Sequence, residues 1–238
     1  MLDEAPAEGL PALLRGSLVH ELLEHLDVRR PVTPSAREVA KLLERVGVEV
    51  REEDVADLRD MVQRFAGSSL RERLARARRA RAELPFAFTL VPPRAGGRSL
   101  LVNGFVDVYA VEDDRTLIVD YKSDRLGAED DPREIVEDHY GTQRVVYALA
   151  ALREGAARVE VVHVFLERPD EPASVVWEAA DAPELERRLL SLAAGVVEGR
   201  FEPTAEPHRD LCASCPGQPA LCSWPPERTL GFRAVAAG

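Results

Sequence analysis

Two aspartates and one lysine stand at spacings that suit metal-assisted hydrolysis. Asp107 lies inside GFVDVY, and Asp120 and Lys122 lie inside IVDYKS. Side chains alternate along an extended chain, so Asp120 and Lys122 share one face of their strand and Tyr121 takes the other. The same alternation sets Asp107 on the face opposite Val106 and Val108. With Asp113-Asp114 as a hairpin turn, Asp107 and Asp120 stand six residues to either side, almost opposite each other. Cross-strand neighbours are about 5 Å apart. Carboxylates so close repel unless a cation sits between them or one is protonated. Partly open oxygen ligation suits Mg²⁺, with Mn²⁺ as a substitute, because Mg²⁺ keeps waters and meets phosphate oxygens. Lys122, two residues from a ligand, is placed to orient or deprotonate an attacking water.

The lysine is conspicuous by rarity. Of 31 Lys and Arg, only Lys41 and Lys122 are lysine, leaving 29 arginines. Arginine stays protonated, whereas a desolvated lysine can lose its proton. Neither lysine follows glycine, so the Gly-Lys-Ser/Thr end of a phosphate-binding loop is absent, and with it a nucleotide-driven motor of that kind. Taken singly, each aspartate reads as a surface residue near a turn, and Asp120 with Lys122 as a solvated pair. Together they read as a site.

The elements that must position these residues follow from periodicity. Residues 1–12 form a loose leader. Leu14, Leu18, Val19, Leu22, Leu23 and Leu26 give a helix over about 13–26. Thr33-Pro34-Ser35 opens a second helix, with Thr33 or Ser35 as its cap, that Gly47 closes, and a third is expected from Glu52 to about Arg81. Strands follow at 85–91, 99–111 and 115–122, with Gly96-Gly97 and Asp113-Asp114 as turns. A helix from about Arg133 to Glu154 leads to a strand at 159–167, an edge strand at 174–177 and a helix over roughly 183–199. The order predicts an α/β fold, a mixed β-sheet core flanked by helices with a helical N-terminal prefix. The divisions expected are a prefix at 1–82, a core at 83–200 and a Pro- and Cys-rich, loop-like tail at 201–238.

Composition sets outer limits. The chain has 238 residues, 45% hydrophobic and 31% charged, which fits one compact unit or one with appendages. No run approaches the roughly 18 apolar residues of a membrane span, and MLDEAPAEG lacks the apolar core of a secretory signal. The three cysteines all fall within 212–222, unlike a secreted disulfide scaffold, so a cytoplasmic location is expected. A net charge of −11 argues against a nonspecific basic coat, and 5% aromatics against a broad base-stacking surface.

Asp107 in G-F-V-D, followed after twelve residues by Asp120-Tyr121-Lys122, resembles the PD-(D/E)XK nuclease superfamily, and specifically its RecB-like branch. Further motifs of that branch occur in order. Gly16-x-x-x-His20 resembles the histidine motif that adds a metal ligand. Glu83 resembles the acidic residue ahead of the core strands. Tyr140-x-x-Gln143-x-x-x-Tyr147 is similar to the branch's Q-x-x-x-Y motif. The likeness runs from about Arg15 to Cys222. It implies a restriction-endonuclease-like fold, with His20, Asp107, Asp120 and the Tyr121 carbonyl around the metal, and Glu83 among the catalytic groups. Without the family, His20 reads as a partner of Glu24, Glu83 as a strand-edge charge, and Gln143 and Tyr147 as half-buried packing on one helical face. Gly16 would let its helix approach a strand closely.

Two clusters remain. Arginines 71, 73, 76, 78, 79 and 81, read as one helix, are a solvated surface or a phosphate-contacting one, with Arg76 and Arg79 as DNA contacts. Cys212, Cys215 and Cys222 look like metal ligands. In part of the RecB-like branch, three such cysteines join a fourth upstream around a 4Fe–4S cluster. Here no cysteine precedes His20, so the alternatives are a chain that starts late as a fragment or split gene, an iron–sulfur cluster completed by other means, a lost or incomplete cluster, or zinc with His208.

The resulting expectation is a Mg²⁺-dependent DNA nuclease, acting as an exonuclease, for DNA end processing and recombinational repair. The resemblance implies a helicase–nuclease module, working with a fused or separate helicase. The rivals are a noncatalytic DNA-binding or partner-docking module of the same fold, and a hydrolase acting on RNA.

Overall fold

The computed structural model describes residues 9–92, 99–200, 202–213, 215, 217–218 and 220–231, in two compact units divided after Leu192. Four helices open the first unit. Helix α1 (Ala12–Glu24) buries Leu18, Val19 and Leu23. Helix α2 (Ala36–Arg45) starts in a reciprocal capping box between Ser35 and Glu38 and stops before Gly47, whose φ is +75°. Helix α3 (Glu52–Gly67) and helix α4 (Ser69–Arg76) replace the single third helix expected. Ser68 breaks it: its hydroxyl donates to the Phe65 carbonyl and accepts from the Arg71 N–H, ending one helix and capping the next.

Five strands form one sheet in the order β1-β2-β3-β4-β5: β1 (Arg79–Leu90), β2 (Leu100–Val111), β3 (Thr116–Lys122), β4 (Arg158–Phe165) and β5 (Ala173–Glu178). The first three make an antiparallel meander. Helix α5 (Pro132–Arg153) then crosses over, so β4 pairs parallel to β3, and β5 closes the far edge antiparallel. The sheet is mixed, as expected. Gly96-Gly97, the other expected turn, lies outside the described residues.

Strand β1 begins at Arg79, six residues ahead of the apolar run that announced it. Ala, Arg and Glu favour helices, but RARAEL (79–84) also alternates every second residue. Arg79 and Arg81 stay exposed while Ala80 packs inward, and pairing with Val111 and Tyr109 of β2 overrides local propensity.

The sheet is covered on both faces. One core packs α1–α4 on Val108, Ala110, Leu117, Val119 and Tyr121. The other packs α5 and α6 (Ala182–Leu192) on Val106, Ile118, Val159 and Val161. Strand β3 is buried along its whole length, as a strand covered on both sides must be. The helix expected over 183–199 ends at Leu192, and the second unit opens with the short α7 (Ala194–Val197). Its tail, expected as loop, carries two single-turn helices, α8 (Arg209–Cys212) and α9 (Pro226–Thr229). No helix among the described residues is long and apolar enough to cross a membrane.

Candidate active site

The site lies where β2 and β3 part. Their ladder pairs Val108 with Val119 and stops there. The next rung would set Asp107 against Asp120. Instead the Asp107 carboxylate turns into the gap, where Oδ2 accepts the Tyr121 N–H at 2.6 Å. Val106 and Val108 pack into different cores, so alternation breaks at Asp107 and the expected shared face of the two valines is corrected. Strand β1 breaks at the same level: Ala80 packs on one core, Leu84 on the other, and Glu83 between them has φ +46°. That left-handed backbone is strained for a residue with a Cβ, and it brings Glu83 to Asp107.

Helix α1 supplies His20. Nε2 lies 3.1 Å from the Tyr121 carbonyl oxygen and Nδ1 lies 3.3 Å from Asp107 Oδ1. Burial lowers the affinity of His20 for its proton, but the hydrogen bond to Asp107 and the charges of Asp107 and Asp120 outweigh it, and the pKa rises. Ligand atoms of His20, Glu83 and Asp107 lie within 4.8 Å of one another. The Glu83 carboxyl is raised by burial and by Asp107 and Glu24, against His20. A carboxyl raised by a neighbouring carboxylate is what a cation site looks like without its positive charge.

Two contacts fix α1 against the DYKS segment. A Cβ on Gly16 would stand 3.0 Å from Ser123 Oγ, so glycine permits the close approach. Arg15 is 2% exposed. It grips Asp57 of α3 with two nitrogens, at 2.6 and 2.9 Å, and reaches the Ser123 carbonyl and, at 3.4 Å, Glu167. Glu167 in turn accepts the Leu126 N–H, so one guanidinium ties α1, α3 and the segment after β3. Arg15, one of 29 arginines, carries no local signal of this role in the sequence.

On the other face of β3, Asp120 and Lys122 enter a closed ring with α5. Lys122 Nζ lies 2.7 Å from Asp120 Oδ2 and donates to Gln143 Oε1 at 2.8 Å. The Gln143 amide donates to the Tyr147 hydroxyl at 2.9 Å, and that hydroxyl donates to Asp120 Oδ1 at 3.0 Å. Gln143 and Tyr147, one helical turn apart, thus steady the lysine and the aspartate. Tyr140 lies beneath the ammonium, 3.7 Å from Nζ to ring centroid, with its hydroxyl on Asp124. Burial, then Asp107, pushes the Asp120 carboxyl up to about 6, against Lys122 and Tyr147. Its Oδ2, close to the ammonium but off hydrogen-bond geometry, has no hydrogen-bond partner.

Behind Asp120 stands His163, wholly buried, which the sequence did not flag. Burial, then the charges of Lys122 and Arg144, hold its pKa down to about 3, so the ring is neutral. The signal missed was a polar residue inside VVHVF, an otherwise apolar run.

These groups open into one cleft of about 620 Å³ lined by His20, Asp107, Asp120, Lys122 and Gln143, with exposed Arg125 also on its wall. A histidine nitrogen, carboxylates, a backbone carbonyl and an orphaned buried carboxylate oxygen fit a hard divalent cation.

The expected arginine helix takes another form. Helix α4 ends at Arg76, and Arg79 and Arg81 lie on β1. Arg76 and Arg78 line a separate hollow beside the β2–β3 turn with Arg73, which is paired to Glu112 and Glu160. Arg78 pairs with Asp113, and Arg76 lies 3.9 Å from Glu72. In the second unit Cys212, Cys215 and Cys222 are free thiols. Among the described residues the only compact group of three or more ligand types is His20, Glu83 and Asp107.

The model of the PD-(D/E)XK nuclease superfamily matches residues 2–222. An ATP-dependent helicase/nuclease subunit of Bacillus cereus (strain AH187) is 26% identical over 157 residues, 60% of this chain and 13% of that protein. Its counterpart in Moorella thermoacetica, of the same name, is 32% identical over 130 residues, 50% of this chain and 9% of that protein. Matches to these relatives therefore span at most 13% of their length. A solved structure of a candidate exonuclease from Eubacterium rectale aligns with a TM-score of 0.48 and 14% identity, covering 86% of this chain and 72% of that one.

Proposed function

The chain belongs to the PD-(D/E)XK nuclease superfamily, and from that premise we propose that it is a divalent-cation-dependent deoxyribonuclease, with Mg²⁺ as the working ion. The observation that carries the reading is the pairing of two sets across β3 in one cleft. His20, Asp107 and the Tyr121 carbonyl stand on one side, and the Asp120–Lys122–Gln143–Tyr147 ring on the other. In this reading His20, Asp107, Asp120 and the Tyr121 carbonyl hold the cation, and Glu83 adds negative charge beside Asp107. The cation, when bound, supplies Lewis-acid polarisation of a phosphodiester and lowers the pKa of water.

The chain's own groups do the rest. Lys122, held by Gln143 over Tyr140, orients the attacking water and offers positive charge where the phosphorane gathers negative charge. Tyr147 keeps Asp120 aimed into the cleft. His20 fixes the distance between α1 and the Tyr121 carbonyl. Exonucleolytic end processing in recombinational repair, beside a fused or separate helicase, extends the proposal. It draws support from relatives that are helicase/nuclease subunits.

Cation binding tests the site directly. Titration calorimetry with Mn²⁺ is expected to give one strong site, weakened tenfold or more in Asp107→Asn. A cation takes deprotonated ligands, while His20 is raised and Asp120 sits at about 6. Acid therefore competes: affinity should fall by about tenfold or more between roughly pH 7.5 and pH 5.5. An affinity indifferent to pH and to Asp107 contradicts the ligand set.

Arg125 replaces the β1 and α4 arginines as the exposed arginine on the wall of the cleft. Arg125→Ala is expected to weaken DNA binding and to reduce the slope of log affinity against log salt by about one. Fluorescence anisotropy at several salt concentrations measures it. An unchanged slope assigns the phosphate contact elsewhere.

A further inference from the structure

Asp120 and His163 are direct partners across the parallel β3–β4 pair, yet their side chains are not joined. Both ring nitrogens of His163 are buried without a hydrogen-bond partner, and so is Asp120 Oδ2. The orphans face each other, with His163 Nε2 4.0 Å from Asp120 Oδ2. Buried polar atoms are nearly always satisfied in folded proteins, so three together mark an interaction not yet closed. The ring is not free to swing toward water. Tyr140 stacks near it, with centroids 5.9 Å apart and planes 25° apart, and its strand neighbours Val162 and Val164 are buried.

Lys122 is drawn to the same oxygen, its Nζ 2.7 Å from Oδ2. A lysine spent on neutralising Asp120 is not available to a water or a phosphate, and an aspartate so neutralised attracts a cation weakly. Resting on the reading of Asp120 as a cation ligand, we propose that His163 is a positioning residue, whose Nε2–H takes over Asp120 Oδ2 when Lys122 leaves it. A neutral imidazole suits this role better than a second ammonium would. It donates a hydrogen bond without cancelling the carboxylate's charge. About 1 Å of closure brings Nε2 and Oδ2 to ordinary hydrogen-bond distance. Lys122 is then free for the reaction while Tyr147 and His163 hold one oxygen each.

The test is Mn²⁺ titration calorimetry on the full chain as wild type, His163→Phe and His163→Gln. Phenylalanine keeps a ring without a donor, and the glutamine amide reaches the position of Nε2. His163→Phe is expected to bind Mn²⁺ about 10- to 100-fold more weakly, and His163→Gln close to wild type. ¹⁵N imidazole spectra of the wild type add a readout that needs no variant: the Nε2–H tautomer, with its proton moving downfield on addition of Mg²⁺. If His163→Phe fails to fold, that spectrum decides. Equal Mn²⁺ affinity in wild type and His163→Phe, or an Nδ1–H tautomer, overturns the role of His163 and leaves the cation site standing. A folded wild type that binds no Mn²⁺ overturns the site reading, and this inference with it.

Discussion

Lys122→Met is expected to lower the cleavage rate by about 10²- to 10⁴-fold, the range for losing a positioned proton-transfer group, while Mn²⁺ affinity holds or improves. The split follows from the ring around β3. Lys122 gives Gln143 a hydrogen bond and lies against Asp120 Oδ2, so in the cation-free protein it competes for a proposed ligand. Removing the ammonium takes away that competitor along with the group that orients water. Methionine keeps most of the stem over Tyr140, so the change is chemical rather than a loss of packing. Single-turnover cleavage and Mn²⁺ calorimetry on the same preparation measure the two halves. Equal losses in cleavage and cation affinity would assign Lys122 a structural role instead.

The second large effect concerns stability. Arg15→Leu is expected to cost about 3 kcal/mol, toward the low end for breaking a buried pair because Asp57 and Glu167 remain 28% and 20% exposed. For a chain of this size that is a fall of roughly 6–12 °C in Tm. Arg15 is the most buried arginine of the site, and its removal leaves Asp57, Glu167 and the Ser123 carbonyl without their shared donor. Because Arg15 ties α1 to the segment after β3, the variant should also loosen His20 from the Tyr121 carbonyl. Differential scanning calorimetry reads the first effect, and Mn²⁺ affinity below the melting range reads the second. A Tm within 2 °C or so of wild type contradicts the clamp.

The contrast between those two residues explains how much the sequence discloses. Lys122 is legible because it is rare and sits two residues from an aspartate on a strand. Gln143 and Tyr147 are legible as partners because they lie one turn apart on a helix. Arg15 is one of 29 arginines, and its contacts lie 42, 108 and 152 residues away, beyond the reach of local periodicity. His163 is hidden differently: its strand reads as buried, and only the parallel register with Asp120 gives the histidine a meaning.

The fold shows the same division. The capping box at Ser35 and the turn at Asp113-Asp114 are local chemistry, and both form where the residues announce them. The start of β1 is not local. RARAEL suits a helix by propensity, and only β2 beside it makes it a strand. The break in alternation at Asp107, matched by the left-handed Glu83, falls at one level of two paired strands and belongs to neither alone. Perfect alternation would have put Asp107 and Asp120 on one face. The break turns Asp107 toward α1 instead, which lets His20 join it.

The most direct test is cleavage itself. Folded wild-type protein, linear single-stranded and double-stranded DNA, Mg²⁺ or Mn²⁺, and EDTA in parallel suffice, with Asp120→Asn as the control. Cation-dependent shortening of DNA from its ends, abolished by EDTA and by Asp120→Asn, is the result predicted. Wild type that is folded and binds Mn²⁺, yet leaves both DNA forms intact, would contradict the nuclease reading. It would leave a noncatalytic DNA-binding or partner-docking module built on a nuclease fold.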